Sequence, residues 1–72
     1  MDNENARSAY VVAAMMGDLT QYWAAATQPK EAIVAVQLHV GPSWAVQLTN
    51  RRLTNAQVES LSLRRDEVRR LR

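Results

Sequence analysis

Between residues 6 and 26 the apolar side chains Val12, Met15, Met16, Leu19, Tyr22, Trp23 and Ala26 recur at intervals of three and four, the spacing that lines one face of a helix. The pattern predicts an N-terminal helix whose core contribution comes from Val12, Met16, Leu19 and Trp23. A second stripe, Ala13, Gly17, Thr20 and Ala24, is small enough to let another backbone approach closely. Gly17-Asp18 offers a break, with glycine closing one turn and Asp18 capping the next in a box with Gln21. The alternative is one continuous helix with a tolerated glycine.

The pattern changes after Thr27-Gln28-Pro29. Val34, Val36, Leu38 and Val40 alternate with Ala35, Gln37 and His39, and beyond Gly41-Pro42-Ser43 the residues Trp44, Val46 and Leu48 alternate with Ala45, Gln47 and Thr49. A period of two on both sides of a turn predicts a β-hairpin. Its rival is a helix from Pro29 to Val40, punctuated by Pro29 and Glu31 in the first turn and Gly41 past the close. From Thr54 the signals are helical: Thr54 and Gln57 form a capping box, Val58 and Leu61 face inward, and Ser62 caps a further helix in which Leu63, Glu67, Val68 and Leu71 align. The predicted class is α+β: a small single domain over residues 1–72, with an N-terminal helix, a β-hairpin and one or two short C-terminal helices, frayed at residues 1–5 and 72.

Charge is distributed unevenly over this order. Residues 51–72 carry Arg51, Arg52, Arg64, Arg65, Arg69, Arg70 and Arg72 against Glu59, Asp66 and Glu67, a net +4, whereas residues 1–50 carry a net −2. Such a dipolar chain suits an anionic surface, either nucleic acid or an acidic patch on a protein. At 72 residues the core is marginal, since a domain of this size buries only about 60% of its unfolded surface. The absence of cysteine excludes disulfide scaffolds and cysteine-based zinc sites and fits a reducing compartment, so a cytoplasmic location is expected. The N-terminus is acidic and the apolar run after it is cut at Gly17-Asp18, which speaks against a signal peptide or a membrane helix. Eight arginines beside the single Lys30, with abundant alanine, suggest a GC-rich genome, bacterial or phage.

Chemistry at single residues is sparse. His39 is the only histidine and has no cluster of carboxylates beside it, whereas zinc needs three or four ligands; a place on the less buried face of a strand accounts for it. The serines lack a base to activate them, and Gly17 and Gly41 stand alone, so no phosphate-cradling loop exists. Asp66 and Glu67 suit ion pairs with the surrounding arginines. The expectation is a non-enzymatic protein with no catalytic residue, metal or cofactor. Trp23, Trp44, Tyr10 and Tyr22 are the only aromatics and are not interleaved with the arginines. Both tryptophans supply core volume in a chain without phenylalanine, and Trp44 is also retained as an interface candidate.

Residues 53–72 resemble the helix-turn-helix of bacterial transcription regulators. Leu61 matches the leucine that closes the first helix, Ser62 and Leu63 the turn, and Val68 the valine anchoring the recognition helix. Glycine usually holds the place of Ser62. The resemblance implies that Arg64, Arg65, Arg69, Arg70 and Arg72 contact DNA. The predicted element order alone is similar to the β-hairpin docking domains that pair subunits of peptide-synthesising assembly lines. The favoured expectation is a regulator of bacterial or phage transcription that inhibits or redirects a large protein, such as RNA polymerase. Its binding residues would be Arg51, Arg52, Arg64, Arg65, Arg69, Arg70, Arg72 and Trp44, without membrane involvement. DNA binding, with homodimerisation through the N-terminal stripe, is the alternative.

Overall fold

Gly17 and Asp18 make the two-residue loop of a β-hairpin, not a joint within a helix. In the computed structural model, which describes residues 9–71, strand β1 (Ala9–Met16) returns as β2 (Leu19–Ala25) with Met16 opposite Leu19. Gly17 lies at φ 59° and Asp18 does not share the positive φ. Glycine in the first loop position is the mark of a type II′ turn, whose twist matches that of the flanking strands. The helix expected over residues 6–26 is thereby overturned, its first residues, 6–8, lying outside the described part.

The reason lies in the position of β1. It is an inner strand, and Ala9, Val11, Val12, Ala13 and Ala14 are all buried. A strand covered on both faces has no apolar–polar alternation to display. The expected core shifts with it: Val12 is fully buried and Trp23 partly so, but Met16 and Leu19 stand 39% and 58% exposed near the hairpin tip. Gln21 does not complete a capping box; its side-chain carbonyl accepts from Trp23 Nε1 at 3.2 Å.

Of the hairpin expected across Gly41-Pro42, the second arm is a strand but the first is replaced by the rival helix. Helix α1 (Pro29–Val40) begins with Pro29, carries Glu31 in its first turn and closes at Gly41, φ 93°. Residues spaced by two travel around a helix instead of sharing a face, so Val36 is buried while Val34 and Leu38 are 59% and 80% exposed. His39 therefore sits on a helix, not a strand. It is exposed, with Nδ1 3.0 Å from the Ala35 carbonyl and its ring 5.4 Å from that of Trp23. Gln37 Nε2 donates to the carbonyls of Gly41 (2.6 Å) and Trp44 (3.0 Å), tying the helix end to the next strand.

That strand, β3 (Ala45–Leu53), pairs antiparallel with β1. The capping box at Thr54 is present: its hydroxyl accepts from Gln57 N–H at 3.1 Å and its own N–H donates to the Gln57 side chain at 2.9 Å. Helix α2 (Asn55–Ser60) then ends where a second helix was expected to begin. Ser62 adopts a left-handed φ of 54°, its N–H donating to Glu59 O and that of Leu63 to Val58 O. These two bonds make a Schellman ending, completed by the apolar contact of Leu63 with Val58. The turn falls at Ser62, but the chain continues as a loop and strand β4 (Val68–Arg70), so the recognition helix that the resemblance implies does not form over residues 63–71.

The sheet is antiparallel in the order β3-β1-β2-β4. One face carries Val12, Ala14 and Ala25 against Ala32 and Val36 of α1, walled by both tryptophans, Val46, Leu48 and Val68. The other buries Ala9, Ala24 and Ala26 beneath Val58 and Leu63, with Leu53, Leu61 and Leu71 around them. The mixed α+β class is as expected, with a different order of elements.

Candidate arginine-rich binding surface

The two outer strands carry their arginines along the half of the sheet away from the β1–β2 hairpin tip. Tyr10 of β1 lies between Arg52 of β3 and Ala25 of β2, and Ala25 pairs with Val68 of β4. Arg52 and Val68 thus occupy the ends of one row, roughly 14 Å apart at the usual strand spacing. The hairpin tip with Asp18 is at the opposite end. The link from β3 to β4 crosses the second face and carries Arg64 and Arg65. Arg51, Arg52, Arg64, Arg65 and Arg70 are all exposed.

Local geometry sets how each is presented. The β1–β3 register shifts between Tyr10 and Val12, leaving extra residues of β3 opposite Val11. Thr49 fills this bulge: its hydroxyl donates to Val11 O at 2.7 Å and accepts from Arg51 N–H at 3.1 Å. A bulge bends its strand and re-aims the side chains beyond it. Beyond it, the Arg52 guanidinium sits 5.2 Å from the centroid of the Tyr10 ring, a cation–π contact. Arg64 and Arg65 lie on a turn closed by the Arg64 carbonyl, which accepts from Glu67 N–H at 3.0 Å, and by the Glu67 carboxylate, which accepts from Arg64 N–H at 2.8 Å. Asp66, at φ 66°, donates its N–H to Ala26 O, and Glu67 O accepts from Ala26 N–H, so the turn is pinned to the end of β2.

Arg69 is different in kind. Its guanidinium donates to Leu61 O and forms a 2.7 Å salt bridge with Glu67. The Arg64 N–H bond, and then the Arg69 bond, hold the Glu67 carboxyl below the ordinary glutamate range. This is the ion pairing expected for Glu67, and it is the only salt bridge among the described residues. Trp44 is not brought to the arginines; it is partly buried and packs against the core beneath α1, beside the start of β3 at the far end. Arg72 lies outside the described residues. Tyr10 is the residue that sequence reasoning missed: its place under Arg52 depends on strand pairing across forty-odd positions, which no local pattern reports.

Among the described residues no group of three or more His, Cys, Asp or Glu is placed to hold a metal, and no helix is long and apolar enough to cross a membrane. No protein-family model matches the chain, and neither a characterised protein nor a solved structure matches it significantly.

Proposed function

We propose that this chain is a small non-enzymatic regulator whose arginine-bearing end engages an acidic patch on a large protein, the favoured partner being an RNA polymerase subunit in a bacterium or its phage. The observation that carries the reading is that Arg51, Arg52, Arg64, Arg65 and Arg70, on both sheet edges and the link between them, are all exposed in the half of the sheet away from the hairpin tip, with Arg69 alone in a salt bridge among the described residues. Arginine suits such a surface because its planar fork meets carboxylates bidentately. An overall charge of only +2 is small beside the row of phosphates a duplex presents, which favours protein over DNA as the target.

The test is capture from a bacterial lysate on the immobilised full chain, with and without nuclease, followed by a salt titration. Recovery of one large protein after nuclease treatment is the expected result. Capture abolished by nuclease, with a steep salt dependence from released counterions, would instead establish a nucleic-acid target.

A further inference from the structure

Among the described residues, strand β3 has a neighbouring strand on one side only. Along its nine residues, the backbone groups that face away from β1 have no strand to bond, and such an edge is a template for an added strand. Edges are commonly guarded by charge, proline, a bulge or shortness. Here the guards sit together at the C-terminal end, as the bulge opposite Val11 and the charges of Arg51 and Arg52. Ala45–Leu48 pairs in unbroken register with Met15–Val12 and contains no charge, proline or glycine.

Resting on the arginine reading above, we infer that the outer edge of β3 is the docking site for an extended acidic segment of the protein partner. The segment adds as a fifth strand beside Ala45–Leu48, and its adjacent carboxylates meet Arg51 and Arg52. Charge selects this occupant. A second copy of the chain, paired β3 to β3, brings no counter-charge, because no Asp or Glu occurs between Glu31 and Glu59. Successive side chains of a strand point to opposite faces, so two neighbouring arginines call for two neighbouring carboxylates. The Thr49 bulge and the Tyr10 contact set the strand end and Arg52 in place beforehand, which lowers the ordering cost of binding.

The probe is a synthetic peptide of alternating valine and threonine ending in an aspartate run, titrated into the isotope-labelled full chain and followed by NMR. The amides of Ala45 to Arg52 are expected to shift and to exchange hydrogen more slowly. R51E/R52E should weaken the peptide roughly tenfold, as for two exposed ion pairs lost, and a lysine-ended peptide should restore binding to that variant. A control peptide of equal charge interrupted by prolines cannot form a strand and should bind more weakly without slowing exchange. If that control binds as well, or if the shifts are confined to Arg64, Arg65 and Arg70, the edge inference is overturned while the arginine reading stands. If no acidic peptide binds in a salt-sensitive way, both fall. Self-association that slows β3 exchange without peptide would identify a second copy as the occupant and overturn the inference.

Discussion

Both outer strands carry a pair of adjacent arginines, Arg51-Arg52 on β3 and Arg69-Arg70 on β4, yet the two edges use them differently. On β4 one arginine is spent on the fold, since Arg69 braces Glu67 and the carbonyl that ends α2. On β3 neither arginine meets a carboxylate among the described residues, and the only aromatic contact is Arg52 over Tyr10. A short strand of three residues is held by its surroundings, whereas a long one of nine is held by its ladder. Charge on the long edge is therefore available for binding without loss to stability.

The largest way to break this contrast is to remove what holds β4. Leu63 is fully buried and anchors the link over the second face, so Leu63→Ala should cost about 2–5 kcal/mol. Chemical denaturation with an unchanged midpoint would show that the link is not needed. Arg69→Ala should cost about 1 kcal/mol, a figure already reduced for its partial exposure. Native-state hydrogen exchange should show the loss concentrated at Val68 to Arg70. Ser62→Gly should instead gain roughly 0.5–1 kcal/mol, because a left-handed φ penalises any residue with a Cβ, and a thermal melt checks the sign.

Acid sharpens the same contrast. Glu67 titrates below its ordinary range in the folded chain, so its contribution is fully present above the unfolded-state pKa and is lost as pH falls through the lower folded-state value. Exchange at Val68 to Arg70 should quicken over that window, with no matching change from Arg51 or Arg52. An equal acid response at both edges would contradict the assignment of Arg69 and Glu67 to the fold. A small effect is the most telling: Arg51→Ala with Arg52→Ala should cost only about 0.5 kcal/mol, the low end for the exposed Arg52–Tyr10 contact.

What the sequence made legible was local. The Thr54 capping box, the inward Val58, the Pro29 and Gly41 punctuation and the uneven charge all depend on neighbouring residues. What it concealed depended on distant ones. The run Val11-Val12-Ala13-Ala14 reads as helix because both faces of β1 are buried, and a doubly covered strand loses its alternation. Conversely, Val34, Val36, Leu38 and Val40 alternate like a strand while lying around a helix with an apolar outer face. The arginines were visible as a group, but the division between Arg69 and the rest was not, because it depends on where Leu61 and Glu67 come to lie.

The decisive measurement is the affinity of the captured partner for the parent chain, for R69A, and for a variant with Arg51, Arg52, Arg64, Arg65 and Arg70 all changed to alanine. Each chain is also unfolded by denaturant. The five-arginine variant is expected to unfold near the parent's midpoint and to lose the partner, while R69A is expected to be the less stable fold and to keep it. A five-arginine variant that binds as the parent does would contradict the claim that these exposed arginines are the binding surface.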